Sequence, residues 1–255
     1  MSLKQGWRIT AAAISYVMFG LGGLLPGVYA IVLSLAPMDA ARKQKKLRSV
    51  IGGLCRFYLW AMRLLGLIAY SIEGMPTGKL RGHVVIANHS MLIDALFVLG
   101  YVDDVCCVVK ASLARNPFTR VPVRLAGYIE NDDPRLLDVA RQKLSLGENI
   151  LIFPEGTRNS SDLELTFKRG AANLAIISEA PILPVLLLCV PRALGKDQSW
   201  YQLPPQRLRV SMRFLPEVRV PEVIDISLPR PLQYRFLTRY LRELYHSAIS
   251  HVQRG

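Results

Sequence analysis

From Ile9 to Pro37 the chain carries no charged side chain. A run of that length must be buried in protein or in lipid, and about 20 apolar residues already suffice to cross a bilayer as a helix. Four glycines, Gly20, Gly22, Gly23 and Gly27, and Pro26 lie within it. A straight spanning helix and a bent element dipping into one leaflet both fit. A cleaved signal peptide fits less well, because the apolar region is long and Pro37 follows the one small-x-small site. The basic run Arg42–Lys43–Gln44–Lys45–Lys46–Leu47–Arg48 comes next. Positive residues flanking an apolar segment put the bulk of the chain at the cell membrane, on its cytoplasmic face.

The next stretch is amphipathic at helical period. Leu47, Val50, Ile51, Leu54, Tyr58, Ala61, Leu65 and Ile68 form one stripe, with Arg42, Lys46, Ser49, Gly53, Arg56 and Arg63 largely opposite. Such a helix can cover a core or lie on a bilayer. Its position directly after the charge-free run favours the bilayer, as the second helix of a hydrophobic/amphipathic pair. Charge points the same way. Residues 1–72 hold nine Lys/Arg against Asp39 alone, whereas residues 73–255 hold 23 against 18 Asp/Glu. A positive excess beside apolar sequence suits anionic membrane lipids, and no basic–aromatic module for nucleic acid is visible. Cys55, Cys106, Cys107 and Cys189 all sit in apolar runs and read as buried, reduced side chains without metal-ligand spacing.

Glu73–Gly74–Met75–Pro76–Thr77–Gly78 ends this pattern. The expected division is therefore a membrane-binding segment over 1–72 and a second domain over 73–255. In the latter, apolar runs alternate with helical patterns. Val84–Ala87, Val105–Val109, Ile150–Phe153, Ile182–Leu188 and Leu208–Phe214 read as strands. Arg135–Leu146, Gly170–Ser178 and Pro231–Val252 read as helices, the first opened by Asp133–Pro134 and closed by Gly147. That alternation predicts an α/β fold, a mixed central sheet flanked by helices.

Two of the strands end in polar turns. Val84–Ala87 runs into Asn88–His89–Ser90–Met91–Leu92–Ile93–Asp94. Histidine titrates near neutrality and a carboxylate can hold its ring in one tautomer, so His89 and Asp94 suit proton transfer. The helix start after them offers free N–H groups to a developing negative charge. Ile150–Phe153 runs into Pro154–Glu155–Gly156–Thr157–Arg158, which brings opposite charges to a second strand end. Each turn alone is weak evidence: a plain solvated turn explains either.

Together they are specific. Asn-His-four residues-Asp, followed by Phe-Pro-Glu-Gly-Thr-Arg with Glu155 61 positions after Asp94, resembles the glycerolipid acyltransferase family. Phe167–Lys168–Arg169–Gly170–Ala171 and Ile182–Leu183–Pro184–Val185 are similar to a later block of that family, and Lys110 to a lysine between the first two. The resemblance covers roughly residues 80–190. It implies acyl transfer from acyl-CoA or acyl-carrier protein to the hydroxyl of a lysophospholipid, most simply lysophosphatidic acid giving phosphatidic acid. No cofactor or metal is implied. His89 would be the general base and Asp94 its orienting carboxylate, as in a triad whose serine is replaced by the substrate hydroxyl. In keeping with this, the chain has no Gly-x-Ser-x-Gly elbow. Lys110, Glu155, Gly156, Thr157 and Arg158 would bind the acceptor.

One departure bears on the acceptor. Where the family carries an arginine that helps hold the phosphate, this chain has Gly127–Tyr128–Ile129–Glu130–Asn131–Asp132–Asp133. Carboxylates beside a phosphate dianion are unfavourable. Either Arg124 or Arg135 compensates, or the acids cap the following helix, or the acceptor is a different lysolipid. A non-enzymatic protein of anionic membranes is the remaining class. His83, His246 and His251 read as structural, Trp7, Trp60 and Trp200 as candidate interfacial anchors. Arg207, Arg209, Arg213 and Arg219 read as one strand's solvated face.

Overall fold

The structure is a computed structural model and describes residues 3–117, 119–157, 165–193, 204 and 206–254. The charge-free run forms one continuous helix, α1 (Leu3–Ser34), through Pro26. A turn follows, and Asp39 then caps α2 (Ala40–Leu64) by accepting the Arg42 N–H at 2.8 Å. In chain order come β1 (Ile68–Glu73), β2 (Val84–Ala87), α3 (Asp94–Tyr101), β3 (Val105–Val109), α4 (Ala111–Arg115), α5 (Arg120–Leu125) and β4 (Ile129–Glu130). The chain continues through α6 (Leu136–Ser145), β5 (Asn149–Ile152), α7 (Gly170–Ser178), β6 (Ile182–Val190), β7 (Leu208–Phe214), α8 (Val220–Val223) and α9 (Arg230–Arg254).

The strands form one sheet in the order β1-β7-β6-β2-β5-β3-β4. β6, β2, β5, β3 and β4 run parallel, so their C-terminal ends share one edge, while β7 returns antiparallel to β6 with β1 parallel beside it. The sheet is thus mixed, as the alternation predicts. Central strands covered on both faces need no polar side, and β2 is buried at all four positions. Their alternate residues feed two cores. Val85, Ala87, Leu151 and Val185 pack with Leu59, Met62 and Phe97 under α1, α2 and α3. Val84, Ile86, Ile150 and Leu186 pack with Leu174, Leu237, Leu241 and Tyr245 under α7 and α9.

Two short strands, β1 and β4, were not among the expected elements. Ile68 belongs to β1 rather than to the helical stripe, because Gly66, at φ +76°, takes the chain out of α2. β1 crosses the expected junction at residues 72 and 73, and its pairing with β7 makes it part of the sheet. The inward line of α2 is also rotated from the expected stripe. Leu47, Arg48, Gly52, Cys55, Leu59 and Met62 are buried, and Leu54 and Tyr58 are half-buried. A β-carbon on Gly52 would lie 2.8 Å from the Leu99 carbonyl oxygen, so a glycine is what lets α2 and α3 approach so closely.

One member of the basic run turns inward. Arg48 binds Asp104 at 2.8 Å, Glu148 at 3.0 Å and the Ala126 carbonyl at 3.0 Å, and Lys143 joins Glu148 at 3.0 Å. These contacts fasten α2 to the N-terminal ends of β3 and β5. The outer faces are apolar instead. Along α1, Val17, Leu21, Leu25, Val28 and Val32 are exposed, as are Phe57, Trp60 and Leu64 on α2. α1 is the one helix among the described residues long and apolar enough to cross a membrane. Arg209 and Arg213 lie on the more open face of β7, whereas Arg207 caps the carbonyls of Ile68 and Arg63 at 2.7 and 2.8 Å. His83 precedes β2 at the opposite edge from its polar turn and pairs with Glu217 at 2.9 Å. Trp200 lies outside the described residues.

Candidate active site

β2 ends in a residue that keeps pairing after the ladder stops. The Asn88 side-chain amide donates to the Leu187 carbonyl and accepts the Leu187 N–H, both at 2.7 Å. Two residues further back, the Tyr245 hydroxyl from α9 donates to the Ile86 carbonyl at 2.6 Å and accepts the Val185 N–H at 3.1 Å. Ile86 lies opposite Pro184, a residue with no N–H to give. Two side chains therefore hold β2 to β6 immediately before His89.

The next four residues form a turn, and α3 begins at Asp94. A spacing of five would separate the two side chains on a regular helix; the turn folds them together. His89 Nδ1 stands 3.1 Å from Asp94 Oδ2. The same oxygen accepts the backbone N–H groups of Ser90 and Met91 at 2.7 Å each. Asp94 is fully buried, and burial raises its carboxyl pKa against the opposing pull of the His89, Met91 and Ser90 hydrogen bonds. An ionised carboxylate only accepts, so Nδ1 carries the ring proton and Nε2 keeps its lone pair. The imidazole is 22% exposed, enough to meet a ligand. The expected free donors are partly accounted for: the Ser90 and Met91 N–H groups are committed to Asp94 and cannot serve an oxyanion.

β5 ends on the same edge, beside β2. The Phe153 ring lies against the His89 imidazole, with centroids 4.5 Å apart. Glu155 is buried, and its Oε1 accepts the His89 backbone N–H at 3.1 Å. Its carboxylate thus holds the histidine's backbone, a position the pattern Glu-Gly-Thr-Arg did not disclose. Gly156 adopts φ +72°, where a β-carbon would come within 2.9 Å of Lys168 Nζ. Gly156 and Thr157 are exposed, and Arg158 lies outside the described residues.

Lys110 follows β3 on this same edge, and its exposed side chain makes no hydrogen bond or ion pair among the described residues. The three acids that replace the family's arginine region are mostly engaged. Asp132 pairs with Arg115 at 3.1 Å, and Asp133 accepts the Arg135 N–H at 2.8 Å, opening α6. Asn131 Oδ1 accepts the Ala111 N–H at 3.1 Å and ties the loop to the start of α4. The structure thus joins His89, Asp94 and Glu155 in direct contact, and sets Lys110, Gly156 and Thr157 along the same rim. The cysteines are inert here, since burial pushes the Cys106 thiol up to about 12 and Cys107 well above its ordinary value.

Tyr245 is the contributor that sequence reasoning passed over, and Asn88 and Phe153 stood in the two motifs without an assigned role. Tyr245 left a trace: with Leu237, Leu241 and Ile249 it continues a spacing of four down the buried side of α9. Its contact with β2 left none.

An acyltransferase family model matches residues 70–188, which includes His89, Asp94, Lys110 and Glu155–Arg158 but not Tyr245. The 1-acyl-sn-glycerol-3-phosphate acyltransferase of Pseudomonas aeruginosa is 30% identical over 145 residues, 54% of this chain and 56% of that protein. The alpha enzyme of the same name from Mus musculus is 31% identical over 155 residues, 58% of this chain and 53% of that protein. The chain spans about half the length of the curated relatives it matches. The crystal structure of the 1-acyl-sn-glycerophosphate (LPA) acyltransferase PlsC from Thermotoga maritima shares the fold, with a TM-score of 0.77 over 99% of both chains at 20% identity. Residues 70–188, where the two polar strand ends meet at His89, are thus similar to an acyltransferase domain, and about half of the chain is similar to 1-acyl-sn-glycerol-3-phosphate acyltransferases.

Proposed function

We propose that the protein moves an acyl group from an acyl thioester to the free hydroxyl of lysophosphatidic acid, giving phosphatidic acid. The observation that carries this reading is the His89–Asp94 contact of 3.1 Å at an accessible sheet edge, with Nε2 turned free by the bond at Nδ1. Nε2 takes the proton of the acceptor hydroxyl as its oxygen attacks the thioester carbonyl. The tetrahedral intermediate collapses with loss of the thiolate, which recovers the proton from the imidazolium. Asp94 keeps the ring in the correct tautomer and stabilises its cation. No acyl-enzyme forms and no cofactor or metal takes part. Lys110, Gly156, Thr157 and Arg158 hold the acceptor phosphate, Arg158 by its fork and Lys110 as a point charge. Glu155 fixes the backbone of the base.

Residues 1–72 hold the enzyme to the cytoplasmic face of the cell membrane, and residues 73–255 carry the chemistry. The exposed apolar faces of α1 and α2 support this, together with a groove of about 570 Å³ lined by Phe19, Leu24, Leu54, Phe57, Leu96 and Leu99. Acyl-CoA and acyl-carrier protein both fit as donors. A second acceptor reading, a lysolipid other than lysophosphatidic acid, draws on Asn131 and the acids around it. It is the weaker of the two, because Asp132 and Asp133 are already paired.

His89→Ala should abolish transfer while the purified variant still folds and still floats with vesicles. Activity retained in that variant overturns the assignment. A panel of lysolipids then separates the acceptors: preference for lysophosphatidic acid excludes the second reading.

A further inference from the structure

On the far side of the sheet from α1 and α2, a cavity of about 340 Å³ opens between α9 and the start of α7. It lies within the size range of small-ligand sites. Arg235, Arg239 and Arg242 line it from α9 together with Thr238, Arg169 lines it from the N-cap of α7, and Thr166 and Phe167 complete the wall. Positions 235, 239 and 242 fall on one helical face. None of the four guanidinium groups makes a salt bridge among the described residues, and α9 offers a single acid, Glu243, against five arginines. Among the described residues these like charges gather around one cavity without counter-ions and repel one another. A stable arrangement of this kind is what an anion of several negative charges recognises, and arginine suits phosphate by its fork.

Its position relates it to His89. Phe167 packs edge-on against Tyr245 with centroids 5.2 Å apart, and the Tyr245 hydroxyl bonds Ile86, three residues before His89. Extended chain rises about 3.3 Å per residue. Lys168, between the two wall residues Phe167 and Arg169, donates its N–H to the Pro154 carbonyl at 2.8 Å in the turn below Glu155. The cavity therefore adjoins the active-site edge, yet stands on the opposite sheet face from the apolar helices. A ligand there arrives from the aqueous side.

We propose that this cavity binds the phosphorylated nucleotide end of coenzyme A, while the pantetheine arm crosses the edge to deliver the thioester to His89. The inference rests on the acyl-transfer reading for the identity of the ligand, and on the four arginines for the site. A membrane headgroup is the poorer occupant, because the lipid-facing helices lie across the sheet. An acidic carrier protein is poorer as well. A concave site of this size suits a small anion, whereas protein partners bury about 800 Å² on each side.

Two measurements on the full-length protein test it. Calorimetry with adenosine 3′,5′-bisphosphate should show binding that falls about tenfold in each of Arg235→Ala, Arg239→Ala and Arg242→Ala, as expected for loss of one charge-assisted contact. Steady-state kinetics should show the KM for acyl-CoA raised by a similar factor, with kcat and the KM for acyl-pantetheine unchanged. Bisphosphate binding without transfer from any donor leaves the site standing and removes the acyl-transfer reading. Transfer intact, with acyl-CoA and acyl-pantetheine affected alike or not at all by the three substitutions, overturns the site. A KM raised only for acyl-carrier protein assigns the arginines to a protein partner and overturns it too.

Discussion

A single oxygen of Asp94, Oδ2, receives the His89 Nδ1–H at 3.1 Å and the N–H groups of Ser90 and Met91 at 2.7 Å. The carboxylate that orients the ring is therefore also the residue that shapes the turn carrying it. Asp94→Asn separates the two tasks. The amide removes the charge but keeps an acceptor, so the fold should persist while kcat falls by about 10⁴, the loss measured when a triad aspartate is replaced in this way. Circular dichroism together with turnover checks this; comparable activity in Asp94→Asn would falsify the orienting role.

The same buried carboxyl has a pH signature. Its folded pKa lies above the unfolded one, so its proton is held more tightly in the folded state. This contributes stability that is complete below the unfolded pKa and is lost as pH rises through the folded value. Activity runs the other way, since only the ionised form fixes the reactive tautomer. Asp94→Asn should flatten this part of the stability–pH curve and melt at or above the wild-type temperature near neutrality. Thermal melts across the acid range give the comparison.

Tyr245→Phe deletes a hydroxyl held between Ile86 and Val185 and nothing else. A buried carbonyl and a buried N–H lose their partner, which costs about 1–3 kcal/mol. Because His89 is three residues on, kcat should fall several-fold as well, with the KM for both substrates nearly constant. Denaturant titration and kinetics on the same preparation test both halves.

Arg48→Ala leaves Asp104 and Glu148 facing each other without the guanidinium between them. Breaking one partner out of a buried ion cluster costs about 3–5 kcal/mol. Lys143, 3.0 Å from Glu148, places the expected loss toward the lower end. Arg42, paired with Asp39 on the exposed face, should change stability far less. Side-by-side urea unfolding of the two variants measures the contrast.

Glu217 carries the opposite sign to Asp94. The His83 hydrogen bond, assisted by Arg219, holds its carboxyl below the usual range. Such a group contributes stability present above the unfolded pKa and lost as pH falls through the folded one. Glu217→Gln should therefore leave stability unchanged in acid and lower it slightly near neutrality, without effect on turnover.

Much of the site was legible in the chain because its signals are local. An apolar strand that ends in Asn88–His89, and another that ends in Pro154–Glu155–Gly156, announce a rim wherever parallel strands lie side by side. The five central strands and the helices α6, α7 and α9 follow from periodicity for the same reason. β1 and β4 escaped notice, since Ile68 fits a helical stripe as well as a strand and β4 has only two residues.

Long-range contacts decided the rest. Local pattern marked Glu155 as polar at a strand end, but only the pairing of β5 with β2 aims its carboxylate at the His89 N–H. Tyr245, 156 positions after His89 in sequence, reaches the site because α9 closes over the sheet. Arg48 sits within the basic run beside a membrane segment, yet the acids at 104 and 148 draw it inside. Which groups a polar residue satisfies depends on neighbours brought together by folding, and a single sequence carries no local record of them.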